Sequence, residues 1–185
     1  MSSENRPRIG DLAEILEPGQ ILLVSRSGVF PEIIKRVTHS PWTHAALIDH
    51  NAGGVWIAVE AIRPGPVGTR LEHYFEDPHY TAMAVLEVPA LSWDQRLRVL
   101  QTAWLQVGQG YDLWGTAGIA VKRSLGWAIG NRMDAQGRKF CSELVSFAHV
   151  QGAGMDLVPG EPDGQTAPGD LYLSPVVRKI WEWPT

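Results

Sequence analysis

Three residues far apart in the chain, His44, Glu60 and Cys141, have the side chains of a thiol nucleophile, its base and an acid. Cys141 is the only cysteine among 185 residues, which excludes an intramolecular disulfide. A lone cysteine is often an inert core residue. A catalytic thiol needs a histidine to take its proton and a third group to fix the tautomer of that histidine. Cys141 is therefore a candidate nucleophile only if the fold brings such partners to it.

A predicted β-hairpin brings His44 and Glu60 together. Segments 43–48 and 55–62 are rich in apolar and β-branched residues, and the stretch between them is dense in turn formers. If residue 48 pairs with residue 56, His44 lies opposite Glu60 with their Cβ atoms about 5 Å apart. The carboxylate would then accept the Nδ1 proton and leave Nε2 to face the thiol. A surface ion pair, contributing ~0–1 kcal/mol, is the alternative, although Glu60 interrupts an apolar strand where an unpartnered carboxylate is costly.

Cys141 is expected at the start of a helix. Leu144, Val145 and Ala148 recur at helical spacing, so the helix is predicted over 141–150 with Cys141 on its first turn. Unpaired N–H groups and the positive end of the helix dipole favour a thiolate there and could also hold an oxyanion.

Other elements complete an α+β pattern in one domain. Segment 1–17 is expected to be a flexible head and 18–185 a single domain. Strands are predicted over 21–24 and 81–88, and a helix is predicted to open at Pro31 and end near His39. A capping box of Ser92 and Gln95 predicts a further helix. Its inward residues are expected to be Leu97, Leu100, Trp104 and Val107.

Composition excludes several function classes. The 16 basic and 20 acidic side chains give a net charge of -4, and they form no basic cluster for a nucleic acid partner. The most apolar stretch, 113–129, carries Lys122 and Arg123, which argues against an integral membrane segment. The start of the chain has no secretory signal, so a cytoplasmic location is the default expectation. The histidines lack metal-site spacing and the nucleotide-binding loops are missing, so neither a metal nor another cofactor is expected.

Three short motifs resemble a known family. The strings WTHAALI, AVEAI and FCSELVSFA resemble the permuted papain-like cysteine hydrolases related to NlpC-type peptidases, in particular their bacterial YiiX-like branch. In NlpC-type enzymes the cysteine helix precedes the histidine strand, whereas here the order is histidine, acid, cysteine, as permutation would give. The motif Gly110-Tyr111-Asp112 resembles the one whose tyrosine lines the oxyanion side in that family.

The resemblance implies a circularly permuted papain-like α+β fold, with an antiparallel sheet packed against the helix that bears the catalytic cysteine. It also implies a Cys141–His44–Glu60 triad and a thioester intermediate. Tyr111, Ser142 and Trp42 are the expected oxyanion and substrate-binding residues. The expected substrate is a small peptide or other amide of the cell-wall type. Lipid or thioester acyl hydrolysis or transfer, of the lecithin:retinol acyltransferase-like type, and a catalytically silent binding domain remain alternatives.

Overall fold

A computed structural model describes residues 6–50, 53–62, 65–108, 136–160 and 166–184. We number the elements of these residues in chain order. The strands are β1 (Ile21–Arg26), β2 (His44–His50), β3 (Trp56–Ile62), β4 (Gly65–Arg70), β5 (Tyr80–Glu87) and β6 (Arg178–Trp183). The helices are α1 (Val29–Thr38), α2 (Glu72–Glu76), α3 (Trp93–Trp104), α4 (Gln136–Ala153) and α5 (Pro168–Leu173).

The six strands form one antiparallel sheet in the order β4-β3-β2-β1-β5-β6. The predicted α+β class and the strands and helices expected near 21–24, 31–39 and 81–88 are confirmed. β1 lies at the centre, and four of its residues are buried to within 1% exposure, which explains its continuous apolar sequence.

Both faces of the sheet are covered, because alternate residues of each strand belong to different clusters. On one face Leu23, Leu47 and Val59 pack with the helices α3 and α4, and we call this the α4-side cluster. On the other face Leu22, Ile48 and their neighbours pack with α2 and the N-terminal segment, and we call this the α2-side cluster. Its contributors from outside the sheet are Leu12, Leu16, Leu71, Tyr74 and Phe75.

The hairpin of β2 and β3 forms as predicted, but its strands pair in a different register. The paired residues are Leu47↔Val59 through His50↔Trp56, a shift of two residues from the expected alignment. The predicted pairing of His44 with Glu60 is therefore wrong, and both residues lie beyond the last pair of the ladder. A shift of two keeps every side chain on its face, since strand side chains alternate with period two. His44 and Glu60 thus stay on the same side of the hairpin.

Helix α3 has the predicted capping box. The Ser92 hydroxyl accepts from the Gln95 backbone N–H at 3.3 Å, and the Gln95 side chain accepts from the Ser92 N–H at 2.9 Å. Its buried face differs from expectation, because Val99, Leu100 and Ala103 are buried whereas Leu97 and Trp104 are more than a third exposed. Helix α4 crosses α3 closely at Gly152, where an added Cβ would lie 2.7 Å from the Val99 Cα.

The N-terminal segment differs from the flexible head that the sequence suggested. Residues Ile9–Leu12 form a 3₁₀ turn, and Leu12 and Leu16 are buried in the α2-side cluster. The Arg6 guanidinium donates to the carbonyl oxygens of Phe75 and Asp77, each at 2.5 Å. Burial of two leucines and an arginine cap on α2 explain why this part of the head packs on the domain.

Candidate functional site

The imidazole of His44 and the carboxylate of Glu60 are hydrogen-bonded. His44 is the first residue of β2, and its Nε2 lies 2.6 Å from Glu60 Oε2. The ring is turned the other way from the sequence prediction, which assigned Nδ1 to the carboxylate. Nδ1 is consequently the nitrogen that remains for the thiol. The His44 side chain is 15% exposed and that of Glu60 5%, so the pair is largely buried and is not an exposed surface ion pair.

Glu60 points to the α2 side of the sheet, because its neighbours Val59 and Ala61 belong to the α4-side cluster. There the Tyr74 hydroxyl donates to Glu60 Oε2 at 2.5 Å, and Thr69 of β4 supplies another side-chain hydrogen bond. Burial opposes ionisation of the carboxyl group, but the hydrogen bonds and charge of His44, with Thr69 and Tyr74, hold the pKa of Glu60 below its ordinary value. Glu60 is therefore a carboxylate at neutral pH.

The thiol of Cys141 is a second partner of the same imidazole. Burial disfavours the imidazolium, yet attraction and hydrogen bonding to Cys141, then to Glu60, outweigh it and raise the pKa of His44 to about 10. Cys141 and Glu60 therefore both stabilise the charged form of the ring. His44 thus links a carboxylate on the α2 side of the sheet to a thiol carried by α4.

Cys141 does not lie where the sequence placed it in its helix. α4 begins at Gln136, so Cys141 is its sixth residue rather than a first-turn residue. Only the first four N–H groups of a helix lack an intrahelical acceptor, and the Cys141 N–H is not among them by position. The predicted oxyanion role of that group stays a prediction. The dipole also acts mainly within the first turn. The partner of the thiol is therefore His44 rather than the helix end. Cys141 itself is fully buried.

The secondary site residues have other contacts. The Ser142 hydroxyl donates to the Thr166 carbonyl at 2.6 Å, which ties α4 to the segment before α5. Trp42 is 2% exposed in the α4-side cluster, with its ring 5.2 Å from that of Tyr172. These contacts give both residues a packing role, and their predicted part in substrate binding stays a prediction. Tyr111 lies outside the described residues.

Sequence reasoning missed Tyr74 and Thr69. Neither contact is visible as a motif, because Tyr74 lies on a five-residue helix and Thr69 on an edge strand that contains Gly65, Pro66 and Gly68. The one usable signal was Glu60 itself, since a buried carboxylate must have hydrogen-bond donors. That requirement predicts donors near Glu60 but does not say which residues supply them.

The fold and the side-chain cluster together define an α+β domain with a six-stranded antiparallel sheet and a hydrogen-bonded Cys–His–Glu group at one end of β2. Its fold is similar to the crystal structure of metalloprotein yiiX from Escherichia coli O157:H7, with a TM-score of 0.61 and 18% sequence identity. The similarity covers 89% of this chain and 96% of that one. The fold is therefore YiiX-like.

Comparison of the amino-acid sequence with known families and proteins gives no match. No protein-family model matches the chain, and no curated protein matches it either. Among the described residues, no helix is long and apolar enough to cross a membrane.

Proposed function

We propose that the chain is a cysteine hydrolase with a permuted papain-like fold, in which Cys141 is the nucleophile, His44 the base and Glu60 the residue that orients His44. The observation that carries the proposal is the side-chain arrangement at His44, whose Nε2 lies 2.6 Å from Glu60 Oε2 and whose imidazole also has Cys141 as a hydrogen-bond partner. The raised pKa of His44 agrees with this arrangement. A largely enclosed imidazole with a thiol and a carboxylate as its partners favours a thiolate–imidazolium pair. The chain order of histidine, acid and cysteine also agrees with permutation.

The chemistry follows from the roles of these side chains. The Cys141 thiolate attacks the acyl carbon of an amide, and the leaving nitrogen takes a proton from the His44 imidazolium as the C–N bond breaks. Neutral His44 then removes a proton from water, which attacks the thioester and releases the acid. Glu60 stabilises the imidazolium at each stage and holds the ring in place. A small peptide, such as one derived from cell wall, is the proposed substrate class.

The similar structure, which is that of a protein called a metalloprotein, raises a metal-dependent alternative. Within the described ranges, no three histidine, cysteine or acidic side chains are grouped so that they could hold a metal ion. Glu60 Oε2 accepts both from His44 Nε2 and from Tyr74. The side chains of the described residues do not fit a metal centre, and no step of the proposed reaction uses one.

A catalytically silent binding domain is the second candidate. The observation that favours it is the full burial of Cys141, since a nucleophile must be reached by its substrate. The His44 side chain is partly exposed, so solvent reaches the imidazole. A substrate reaches the buried thiol only when the residues that pack over Cys141 move.

Reaction with iodoacetamide separates these candidates. Because the chain has a single cysteine, modification reports on Cys141 alone. For the hydrolase we expect rapid alkylation of the wild-type protein at pH 6 and loss of that rate in His44→Ala. A rate like that of free cysteine, unchanged by His44→Ala, would favour the binding domain. Turnover of peptide amides, acyl esters and acyl thioesters, with Cys141→Ser as the inactive control, then identifies the leaving group.

A further inference from the structure

We propose that Tyr74 is a positioning residue of the site, which acts on His44 through Glu60. The inference rests on the proposed function and adds a fourth member to the hydrogen-bonded chain from Cys141. Its basis is a shared acceptor: Glu60 Oε2 receives the Tyr74 hydroxyl at 2.5 Å and His44 Nε2 at 2.6 Å. One oxygen atom with two donors has little freedom to move away from either.

The surroundings of Tyr74 fit this role. Tyr74 is 1% exposed, and its ring lies nearly parallel to that of His44, with 6.4 Å between centroids and 18° between planes. Burial, followed by the charge of Glu60, keeps the pKa of Tyr74 well above its ordinary value. The hydroxyl therefore remains a donor throughout the range in which a hydrolase works, and it cannot become a competing anion.

Residues outside α2 stabilise this helix, which carries Tyr74. α2 has only five residues, too few to be stable alone. The Arg6 guanidinium donates to the carbonyl oxygens of Tyr74, Phe75 and Asp77 at its carboxyl end. The ring of Phe75 also lies 6.3 Å from that of Trp181. The N-terminal segment thus fixes the helix, and the helix fixes the hydroxyl.

Tyr74 has a physical effect that ordinary packing would not have. Its hydrogen bond is one of the causes that keep the pKa of Glu60 low. Without the hydroxyl, Glu60 is protonated at a higher pH, and once protonated it stabilises the imidazolium of His44 less. A residue that acts in this way changes the pH dependence of Cys141 reactivity and has no effect once Glu60 has lost its charge.

The test uses the full chain and the alkylation of Cys141 by iodoacetamide from pH 4 to pH 9. We expect Tyr74→Phe to lower the rate at pH 6 about tenfold, as loss of a hydrogen bond to a charged group implies, and to move the acid limb to higher pH. In the Glu60→Gln background the same change should cost less than about twofold, since coupled residues are not additive. Thr69→Val removes another donor from Glu60 and should shift the limb in the same direction.

Tyr172→Phe is the control, because it also removes a tyrosine hydroxyl from a glutamate, here Glu182 of the edge strand β6 at 3.0 Å, and leaves the hydrogen bonds of Glu60 intact. It should leave the profile unchanged. The inference is overturned if Tyr74→Phe and Thr69→Val keep the wild-type pH profile while His44→Ala abolishes it. It is also overturned if Tyr74→Phe lowers the alkylation rate by the same factor in the Glu60→Gln background as in the wild type. A wild-type rate that does not depend on His44 would instead overturn the proposed function and, with it, this inference.

Discussion

Two histidines of this domain, one fully buried and one partly buried, have opposite acid–base behaviour. His149 on α4 is fully buried, and its Nδ1 donates to the Val145 carbonyl at 2.8 Å. Its Nε2 has no hydrogen-bond partner among the described residues, and burial lowers the pKa of His149 to about 4. The His44 side chain is 15% exposed, and attraction and hydrogen bonding to Cys141 and Glu60 raise its pKa to about 10. Burial alone makes a histidine neutral, so the charge on His44 is a property of the Cys–His–Glu arrangement.

Removal of the Glu60 charge should have the largest effect on activity, because it takes away one of the two partners that distinguish His44 from His149. Glu60→Gln keeps the shape of the side chain but cannot stabilise the imidazolium, so turnover should fall about 10–10³-fold. Glu87→Gln is the control, because Glu87 is also buried and pairs with Arg178 on the opposite part of the sheet. That variant should lose stability and keep turnover. Full activity in Glu60→Gln would reduce the site to a Cys–His dyad.

Glu60 should also influence stability with a definite sign. Its folded-state pKa lies below the ordinary value of 4.5, so the stability that it contributes is present above that pH and is lost as the pH falls through the folded-state value. Urea unfolding of wild type and Glu60→Gln should therefore differ most at neutral pH and converge in acid. A difference that does not change with pH would show that the carboxylate charge contributes nothing to folding.

His149 should affect acid stability rather than chemistry. A lowered pKa means that the unfolded chain binds a proton first, so the free energy of unfolding decreases as the pH falls from 6.5 toward 4. At about 1.4 kcal/mol per pKa unit, the loss is on the order of 3 kcal/mol. His149→Leu should abolish this decrease and leave turnover within about twofold. A large loss of turnover at neutral pH would place His149 in the site after all.

The smallest effect is expected at His50, at the other end of β2. His50 is exposed and lies against Trp56, with 5.3 Å between the ring centroids. His50→Ala should change stability by less than about 0.5 kcal/mol and leave turnover unaltered. An activity loss comparable to that of His44→Ala would mean that position on the hairpin, rather than burial with partners, decides the role of a histidine.

The sequence predicted the hairpin and the face that His44 and Glu60 share, because the period of two is independent of a two-residue register shift. It could not fix the register, since several residues around 51–54 are turn formers and many loop lengths fit them. It placed Cys141 too early in α4 because residues 136–140 contain a glycine and little apolar periodicity. Tyr74 was inaccessible to pattern reasoning because its contact with Glu60 is purely tertiary.

Titration of the individual imidazole resonances by NMR tests the arrangement at His44 most directly, with His149 in the same sample as the reference. A pKa of about 10 is predicted for His44 and of about 4 for His149. Cys141→Ser should lower the His44 value, because it removes the thiol whose charge supports the imidazolium. A wild-type His44 that titrates near its ordinary 6.5, unaffected by Cys141→Ser, would contradict the thiolate–imidazolium pair and the hydrolase built on it.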